Sequence, residues 1–352
     1  MHHYRKLQEL LNTHPVGAPF SEEYLEILRI LFRPGEVELA LKLSFKLKRV
    51  TEIAQETGIA REELVQKMED MANRGVILAK KTAGEPAYAL LPNYPGLFEY
   101  PVMKGVDPAT ERRLAELWHA YYMKEMAAEL AAAVPPWNRV LPAEEAIPTE
   151  IEILPYEAAT EMMSKSEAIS LGNCPCRTLG QKCSRPKDVC LAFDGAARFL
   201  AERGMARFID LEEARQVLKK AEEAALVHTA SNNAERLLFI CNCCPCCCHF
   251  LRLVTEHNYR HALAHSSYEA RIDTGECTGC AICVEERCPA GALSMEEDVA
   301  RLDPEKCLGC GLCVSACPTS AITLVKRKEY TSPPANVNEL MSLIASSKQQ
   351  KR

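Results

Sequence analysis

Twelve residues near the C-terminus, CLGCGLCVSACP from Cys307 to Pro318, carry four cysteines and two glycines. Their spacing is Cys-x2-Cys-x2-Cys-x3-Cys-Pro, a run typical of iron–sulfur cluster binding. The short loop lets three thiolates converge on one cubic cluster, while the following turn carries the fourth cysteine away. Gly309 and Gly311 allow the backbone to pass close to the cluster and donate its amide hydrogens to sulfur. The run therefore predicts a [4Fe–4S] centre.

A similar run, the first in chain order, begins 30 residues upstream at Cys277. Its spacing is Cys-x2-Cys-x2-Cys-x4-Cys-Pro, one residue longer than that of the second run, which begins at Cys307. The extra residue lies within residues 284–287, and we expect it to bulge the loop without removing a ligand. The four cysteines of this copy are Cys277, Cys280, Cys283 and Cys288. The repeat indicates one duplicated supersecondary unit rather than a solenoid.

The two copies resemble the bacterial-type ferredoxins that hold two [4Fe–4S] clusters, in which the fourth cysteine of each run binds the other cluster. The resemblance implies a ferredoxin domain over residues 266–326. It implies cluster I on Cys277, Cys280, Cys283 and Cys317, and cluster II on Cys307, Cys310, Cys313 and Cys288. A pair of zinc knuckles is the alternative, but two interleaved copies that each end in Cys-Pro fit a zinc ribbon poorly.

Ten further cysteines form two blocks upstream. The first block has four cysteines within 17 residues, Cys174, Cys176, Cys183 and Cys190. This is enough for one structural zinc or one [4Fe–4S] cluster. The second block has six cysteines followed by His249, and they are Cys241, Cys243, Cys244, Cys246, Cys247 and Cys248. So many neighbouring ligands cannot all bind one ion, so this block either divides between two sites or pairs with the first block.

The chemistry of the ten cysteines stays open between one or two further [4Fe–4S] clusters, zinc, and a redox-active or disulfide-forming arrangement. The blocks resemble a segment of uncharacterised iron–sulfur proteins of anaerobes, in which Cys-x-Cys-Arg precedes a Cys-Asn-Cys-Cys run. That resemblance implies no defined activity. A cation beside a cluster would raise its reduction potential. We nevertheless expect Arg177 to pair with a carboxylate and His249 to face solvent.

The predicted fold class is α+β with several domains. Helical periodicity marks Arg61–Asn73, which precedes a β-hairpin, and Thr149–Leu154 has the composition of a short strand. The domains expected in chain order are a winged-helix-like domain at 1–92, a mainly helical middle domain with both cysteine blocks at 93–265, the ferredoxin domain at 266–326 and a polar tail at 327–352.

Charge and hydropathy limit the classes of partner. The chain has 42 basic and 48 acidic residues, and its net charge of −6 disfavours nucleic-acid binding. Residues 51–75, which include the expected recognition helix, are acidic and would be repelled by phosphates. No apolar stretch approaches the roughly 20 residues needed to cross a bilayer. All 18 cysteines lie between Cys174 and Cys317 without a secretory signal, which predicts a cytoplasmic metalloprotein of a reducing, anaerobic host.

Three functions are compatible with these motifs. The first is an iron–sulfur electron-transfer protein that passes single electrons to or from a partner oxidoreductase. The second is a cluster-based reductase of the heterodisulfide type that uses residues 241–248, and the third is a redox-sensing DNA-binding regulator. No Gly-x-Gly-x-x-Gly fingerprint and no Walker-type loop occurs, so no nucleotide cofactor or catalytic residue is predicted. An electron carrier or oxidoreductase subunit is favoured over a stand-alone enzyme.

Overall fold

Helices and strands are mixed along the chain in the computed structural model, which describes residues 2–149 and 151–349. This confirms the α+β class predicted from the sequence. The helices of the described residues are α1 (His2–Leu11), α2 (Glu22–Leu31), α3 (Glu36–Ala40), α4 (Val50–Thr57), α5 (Arg61–Asn73), α6 (Tyr100–Lys104), α7 (Pro108–Tyr121), α8 (Ala127–Ala131), α9 (Ala159–Ser164), α10 (Pro175–Gly180), α11 (Asp194–Glu202), α12 (Leu211–Glu223), α13 (His249–Thr255) and α14 (Val337–Gln349). The strands are β1 (Lys48–Arg49), β2 (Ile77–Thr82), β3 (Glu85–Leu90), β4 (Asn138–Val140), β5 (Ile169–Asn173), β6 (Asp188–Phe193), β7 (Arg207–Ile209), β8 (Val227–Ser231), β9 (Phe239–Cys243), β10 (Tyr268–Ile272), β11 (Leu293–Glu296), β12 (Val299–Leu302) and β13 (Ile322–Lys326).

The N-terminal part contains two successive helices, α4 and α5, followed by the antiparallel hairpin β2–β3. Strand β1 pairs with the outer side of β3 and completes a three-stranded sheet. Helix α5 buries Leu64, Met68 and Met71 on one face, as its periodicity predicted. The order of helix, helix and hairpin is the pattern on which the winged-helix interpretation rests.

The middle part is organised by a six-stranded antiparallel sheet in the order β4-β8-β9-β6-β5-β7. The sequence predicted a mainly helical middle domain, and the helices there are many, but the sequence did not predict the sheet between them. Strand β8 is buried at every residue and includes Thr229 and Ser231, so it lacks the alternation of polar and apolar residues that marks a strand. The strand expected at Thr149–Leu154 does not form at Thr149 or at residues 151–154, and Glu150 lies outside the described residues.

Two antiparallel strand pairs frame the duplicated cysteine runs. Strand β10 pairs with β13, with Tyr268 opposite Lys326, and β11 pairs with β12, with Leu293 opposite Leu302. Each cysteine run is a loop held between these pairs. The backbone of Ala143, in the middle part, donates to the carbonyl of Cys310 over 3.0 Å, so the second loop is fastened to the rest of the chain.

The C-terminal segment, expected to be a polar tail, contains helix α14. Leu340 and Ile344 are fully buried and join the same core as Leu7 and Leu11 of α1. The Lys348 ammonium donates to the carbonyl of Pro15 over 2.7 Å. The end of the described chain therefore packs against its beginning.

Replacing Ile344 by alanine should loosen α14, because Ile344 is 0% exposed whereas the adjacent Leu343 is 43% exposed. A buried isoleucine truncated to alanine costs about 2–5 kcal/mol, so the α14 segment should be cleaved at least tenfold faster in native-state proteolysis. The matched Leu343→Ala variant should be cleaved at nearly the wild-type rate. Equal rates for the two variants would contradict the docking of α14.

Candidate metal centres

The duplicated runs enclose two small pockets, each of about 20 Å³. Each pocket is lined by three cysteines of one run and the fourth cysteine of the other. One pocket is lined by Cys277, Cys280, Cys283 and Cys317, and the other by Cys307, Cys310, Cys313 and Cys288. The structure thus brings together the two interleaved quartets that the ferredoxin resemblance implies.

The surroundings of these pockets suit a cluster rather than free thiols. Backbone amides donate to sulfur, from Ala292 to Cys288 Sγ over 3.2 Å and from Ala300 to Cys277 Sγ over 3.5 Å. Burial raises the pKa of Cys310 to about 12, so its thiolate needs a nearby cation to form. Gly309 has φ of +71°, and a Cβ there would lie 2.1 Å from the Tyr268 carbonyl oxygen. Only glycine fits this close approach.

The extra residue of the first run is accommodated in a wide helical turn, Cys283–Arg287, closed by a 3.0 Å bond from the Cys288 amide to the Cys283 carbonyl. Cys288 keeps its place at the pocket. Arg287 then donates to the carbonyls of Leu312, Glu222 and Glu223 over 2.8–3.0 Å. The lengthened turn therefore ties the cysteine loops to the C-terminal end of α12.

The ten upstream cysteines separate into two groups that each draw on both blocks. The four-thiol group consists of Cys183, Cys244, Cys246 and Cys247, whose sulfurs all lie within 4.8 Å of one another. The other six line a cavity of about 180 Å³, here named the six-thiol cavity, and they are Cys174, Cys176, Cys190, Cys241, Cys243 and Cys248. The two blocks therefore pair with each other, which was one of the alternatives left open by the sequence.

Local structure explains this division. Cys241 and Cys243 are two residues apart in β9 and so face the same side of the sheet. Strand β6 pairs with β9 through Leu191 and Ile240, which brings Cys190 beside Cys241. Cys174 and Cys176 lie at the start of α10, and Cys248 immediately precedes α13. The residues between Cys243 and Cys248 form the turn that carries the other three cysteines away from the cavity.

Several buried polar atoms at the six-thiol cavity have no hydrogen-bond partner among the described residues. They include the donors Trp137 Nε1, Arg177 Nε and Arg177 Nη2. A buried donor without an acceptor costs about 1–3 kcal/mol. Sulfurs of a bound metal centre accept such hydrogen bonds, and these bonds also tune its electronics. The donor set of the cavity therefore fits a metal–sulfur centre.

Arg177 is 1% exposed and contacts a carbonyl and a thiol instead of a carboxylate in the described part of the chain, so the predicted pairing is wrong. Its Nη1 donates to the Asn242 carbonyl over 2.8 Å and contacts Cys244 Sγ at 3.8 Å. Burial alone would lower the pKa of Arg177, but the neighbouring thiols of Cys174 and Cys244 hold that pKa above its ordinary value. The guanidinium is a buried cation whose counter-charge is supplied by cysteine sulfur.

His249 is buried, so the expectation that it faces solvent is wrong. Its Nδ1 lies 2.8 Å from the Tyr94 hydroxyl, and its ring stacks on Tyr122 with centroids 4.3 Å apart. Burial lowers its pKa to about 3. The ring is therefore neutral and belongs to the apolar wall of the cavity.

Glu99 is a cavity residue that sequence reasoning missed. Its carboxylate accepts a 2.7 Å hydrogen bond from the Gly96 amide. Burial raises its pKa to about 8 despite that bond. Glu99 lies 75 residues before the first cysteine block, and no cysteine or motif surrounds it in the sequence. Only the fold brings it to the thiols.

A family model for the 4Fe-4S binding domain matches residues 300–323, which contain the second cysteine run. The chain therefore contains an iron–sulfur-binding domain. No curated protein matches the chain. Within the described ranges, no helix is long and apolar enough to cross a membrane.

Arg177→Met should destabilise the protein, because it leaves buried sulfur without its cationic neighbour. Removing one partner of a buried charge pair costs roughly 3–5 kcal/mol. Arg185→Met is the matched control, since Arg185 also donates to a backbone carbonyl, of Ala224 over 3.0 Å, but contacts no thiol. Urea unfolding under anaerobic conditions measures both. Equal losses of stability would show that the thiol contact of Arg177 contributes nothing.

Proposed function

We propose that the protein transfers single electrons through two [4Fe–4S] clusters in its C-terminal region, in exchange with a partner oxidoreductase. The observation that carries the proposal is the pair of pockets, each lined by four cysteines drawn from both runs, within the region of the 4Fe-4S family match. A [4Fe–4S] cluster, when bound, takes up and releases one electron. The proposed ligands are Cys277, Cys280, Cys283 and Cys317 for cluster I, and Cys307, Cys310, Cys313 and Cys288 for cluster II.

The two quartets differ in solvent exposure, and this difference indicates which cluster would exchange electrons with the partner. Cys280 is exposed, whereas Cys307 and Cys313 of the other quartet are buried. The loop of the second quartet packs on the middle part, where a Cβ at Gly311 would lie 2.7 Å from the Ala146 side chain. The partner would therefore contact the Cys280 edge, and cluster II would face the middle part of the chain.

The charge around Cys280 favours a protein partner with a basic surface. The exposed side chains of this edge include several carboxylates, among them Asp273, Glu276, Glu285, Glu286 and Asp298. Complementary charge accelerates association between redox partners. The exposed residues of α5 include Glu62, Glu63 and Asp70, so the N-terminal part also disfavours nucleic acid. Eighteen free cysteines fit a reducing compartment such as the cytoplasm.

Cluster-based reduction of a disulfide is a second candidate, favoured by the size of the six-thiol cavity. The volume of this cavity is about 180 Å³, whereas each ferredoxin pocket has a volume of about 20 Å³. Reducing one disulfide to two thiols consumes two electrons and two protons. Turnover of a disulfide with a chemical electron donor, abolished by Cys190→Ser, would support the reductase. Electron exchange with a partner enzyme alone would support the carrier.

The interleaved ligand sets predict which variants should resemble each other. In anaerobically purified full-length protein, Cys317→Ala should disturb the same electron paramagnetic resonance signal as Cys277→Ala. Cys288→Ala should disturb the same signal as Cys307→Ala. Each variant should lose about half of the roughly eight irons expected for two clusters. Ser294→Ala, an exposed serine in β11, is the control and should keep both signals. Grouping of Cys317→Ala with Cys307→Ala would contradict the assignment.

A further inference from the structure

The four-thiol group has the dimensions of a site for a single tetrahedral ion. The sulfurs of Cys183 and Cys244 lie 3.9 Å apart, and those of Cys246 and Cys247 lie 3.8 Å apart. A tetrahedron of thiolates with zinc–sulfur bonds of about 2.3 Å has edges of about 3.8 Å. These two separations match that edge, and the other four are no longer than 4.8 Å.

The same dimensions do not suit a cubic cluster. In a [4Fe–4S] cluster each cysteine binds a different iron, so the thiolates stand farther apart than around one ion. Across residues 2–149 and 151–349, this is the only group of cysteine, histidine or carboxylate side chains with three or more ligand atoms within 4.8 Å of one another. The ferredoxin quartets and the six-thiol cavity are both more open.

We propose that Cys183, Cys244, Cys246 and Cys247 bind one structural zinc ion, distinct from any iron–sulfur centre. Four protein thiolates leave no open coordination position, which is the property of structural zinc sites. Zinc also binds such sites more tightly than ferrous iron does. This proposal does not rest on the electron-transfer function, because it concerns different cysteines and a metal without redox chemistry.

The charge of the surroundings supports this site. Four thiolates carry more negative charge than one divalent ion neutralises, so the complex is anionic. Arg177, which is buried, contacts Cys244 Sγ at 3.8 Å and supplies a compensating positive charge. The buried cation without a carboxylate partner is thereby explained.

The ion would fix the wall of the six-thiol cavity. Cys183 lies in the irregular segment between α10 and β6, whereas the other three ligands lie in the turn between β9 and α13. That turn is flanked by Cys243 and Cys248, both of which line the cavity. A metal that joins the two segments therefore holds these two thiols in place without touching the cavity itself.

Gly180 shows how closely the segments must approach. A Cβ at this position would lie 3.2 Å from both Cβ and Sγ of Cys247. Gly180 ends α10, three residues before Cys183. A side chain here would require Cys247 to shift by a few tenths of an ångström, so the glycine is a positioning residue for the site.

Metal analysis and X-ray absorption at the zinc edge, on full-length protein purified anaerobically, test the proposal directly. We expect about one zinc per chain with four sulfur neighbours at about 2.3 Å. Absence of zinc would overturn the proposal, as would nitrogen or oxygen in its first shell. A single iron in this group in place of zinc would overturn the identity of the ion.

Variants separate this site from the iron–sulfur centres. Cys183→Ser should release zinc to a chelator at least tenfold faster than wild type while keeping the ferredoxin signals, and Ser184→Ala, an exposed neighbour, is its control. Cys246→His, a conservative zinc ligand, should retain the ion. Cys190→Ser and Cys277→Ala should both keep zinc. Loss of zinc in Cys190→Ser with retention in Cys183→Ser would overturn the assignment.

The glycine gives a test that changes no ligand. Gly180→Ala should accelerate zinc release severalfold, because its Cβ displaces Cys247. Gly195→Ala in α11 is the matched control, since a Cβ there meets nothing within 4 Å and its φ is not positive. Equal release rates in the two variants would contradict the close approach on which the site depends.

Discussion

The rest of this structure depends on one constraint, which is that a buried cysteine thiolate needs positive charge near it. Burial is the largest cause that raises the pKa of Cys310 and of Cys313. A cation beside such a group favours its thiolate form, and a bound metal would supply that positive charge. A metal bound at these thiols would therefore also stabilise the folded loops, because it favours the thiolate form that burial disfavours.

Hydrogen bonds, arginine side chains and strand pairing hold the cysteines of each group in place. Backbone amides of Ala292 and Ala300 donate to ferredoxin sulfurs, and Arg287 fastens the lengthened first run to α12. In the middle part the antiparallel sheet aligns Cys190 with Cys241, and Arg177 lies between the four-thiol group and the six-thiol cavity. Each of these interactions fixes the position of a cysteine or places charge beside it.

The sequence predicted those features that depend on residues close together in the chain, such as a cysteine run or a helix. The spacing of the ferredoxin run and its repeat carried the resemblance that implied the interleaved quartets, and periodicity located α5 at Arg61–Asn73. The division of the ten upstream cysteines depends on the register of β6 against β9, which no short segment encodes. Strand β8 escaped detection because it is buried throughout and carries polar residues. Glu99 reaches the cavity only through a long-range contact.

The cysteines of the second block are divided between the six-thiol cavity and the four-thiol group. The proposed zinc site therefore adjoins the cavity in which a redox centre could bind. Cys241 and Cys243 face the cavity, the next three cysteines turn away, and Cys248 returns to it. Displacement of the turn would therefore move cavity thiols on both sides. A centre that changes charge by one electron works best in surroundings that do not rearrange, because reorganisation opposes transfer. The proposed zinc ion, which has no redox chemistry, would hold the turn behind the cavity wall in place, whereas the exposed Cys280 edge would stay open to a partner.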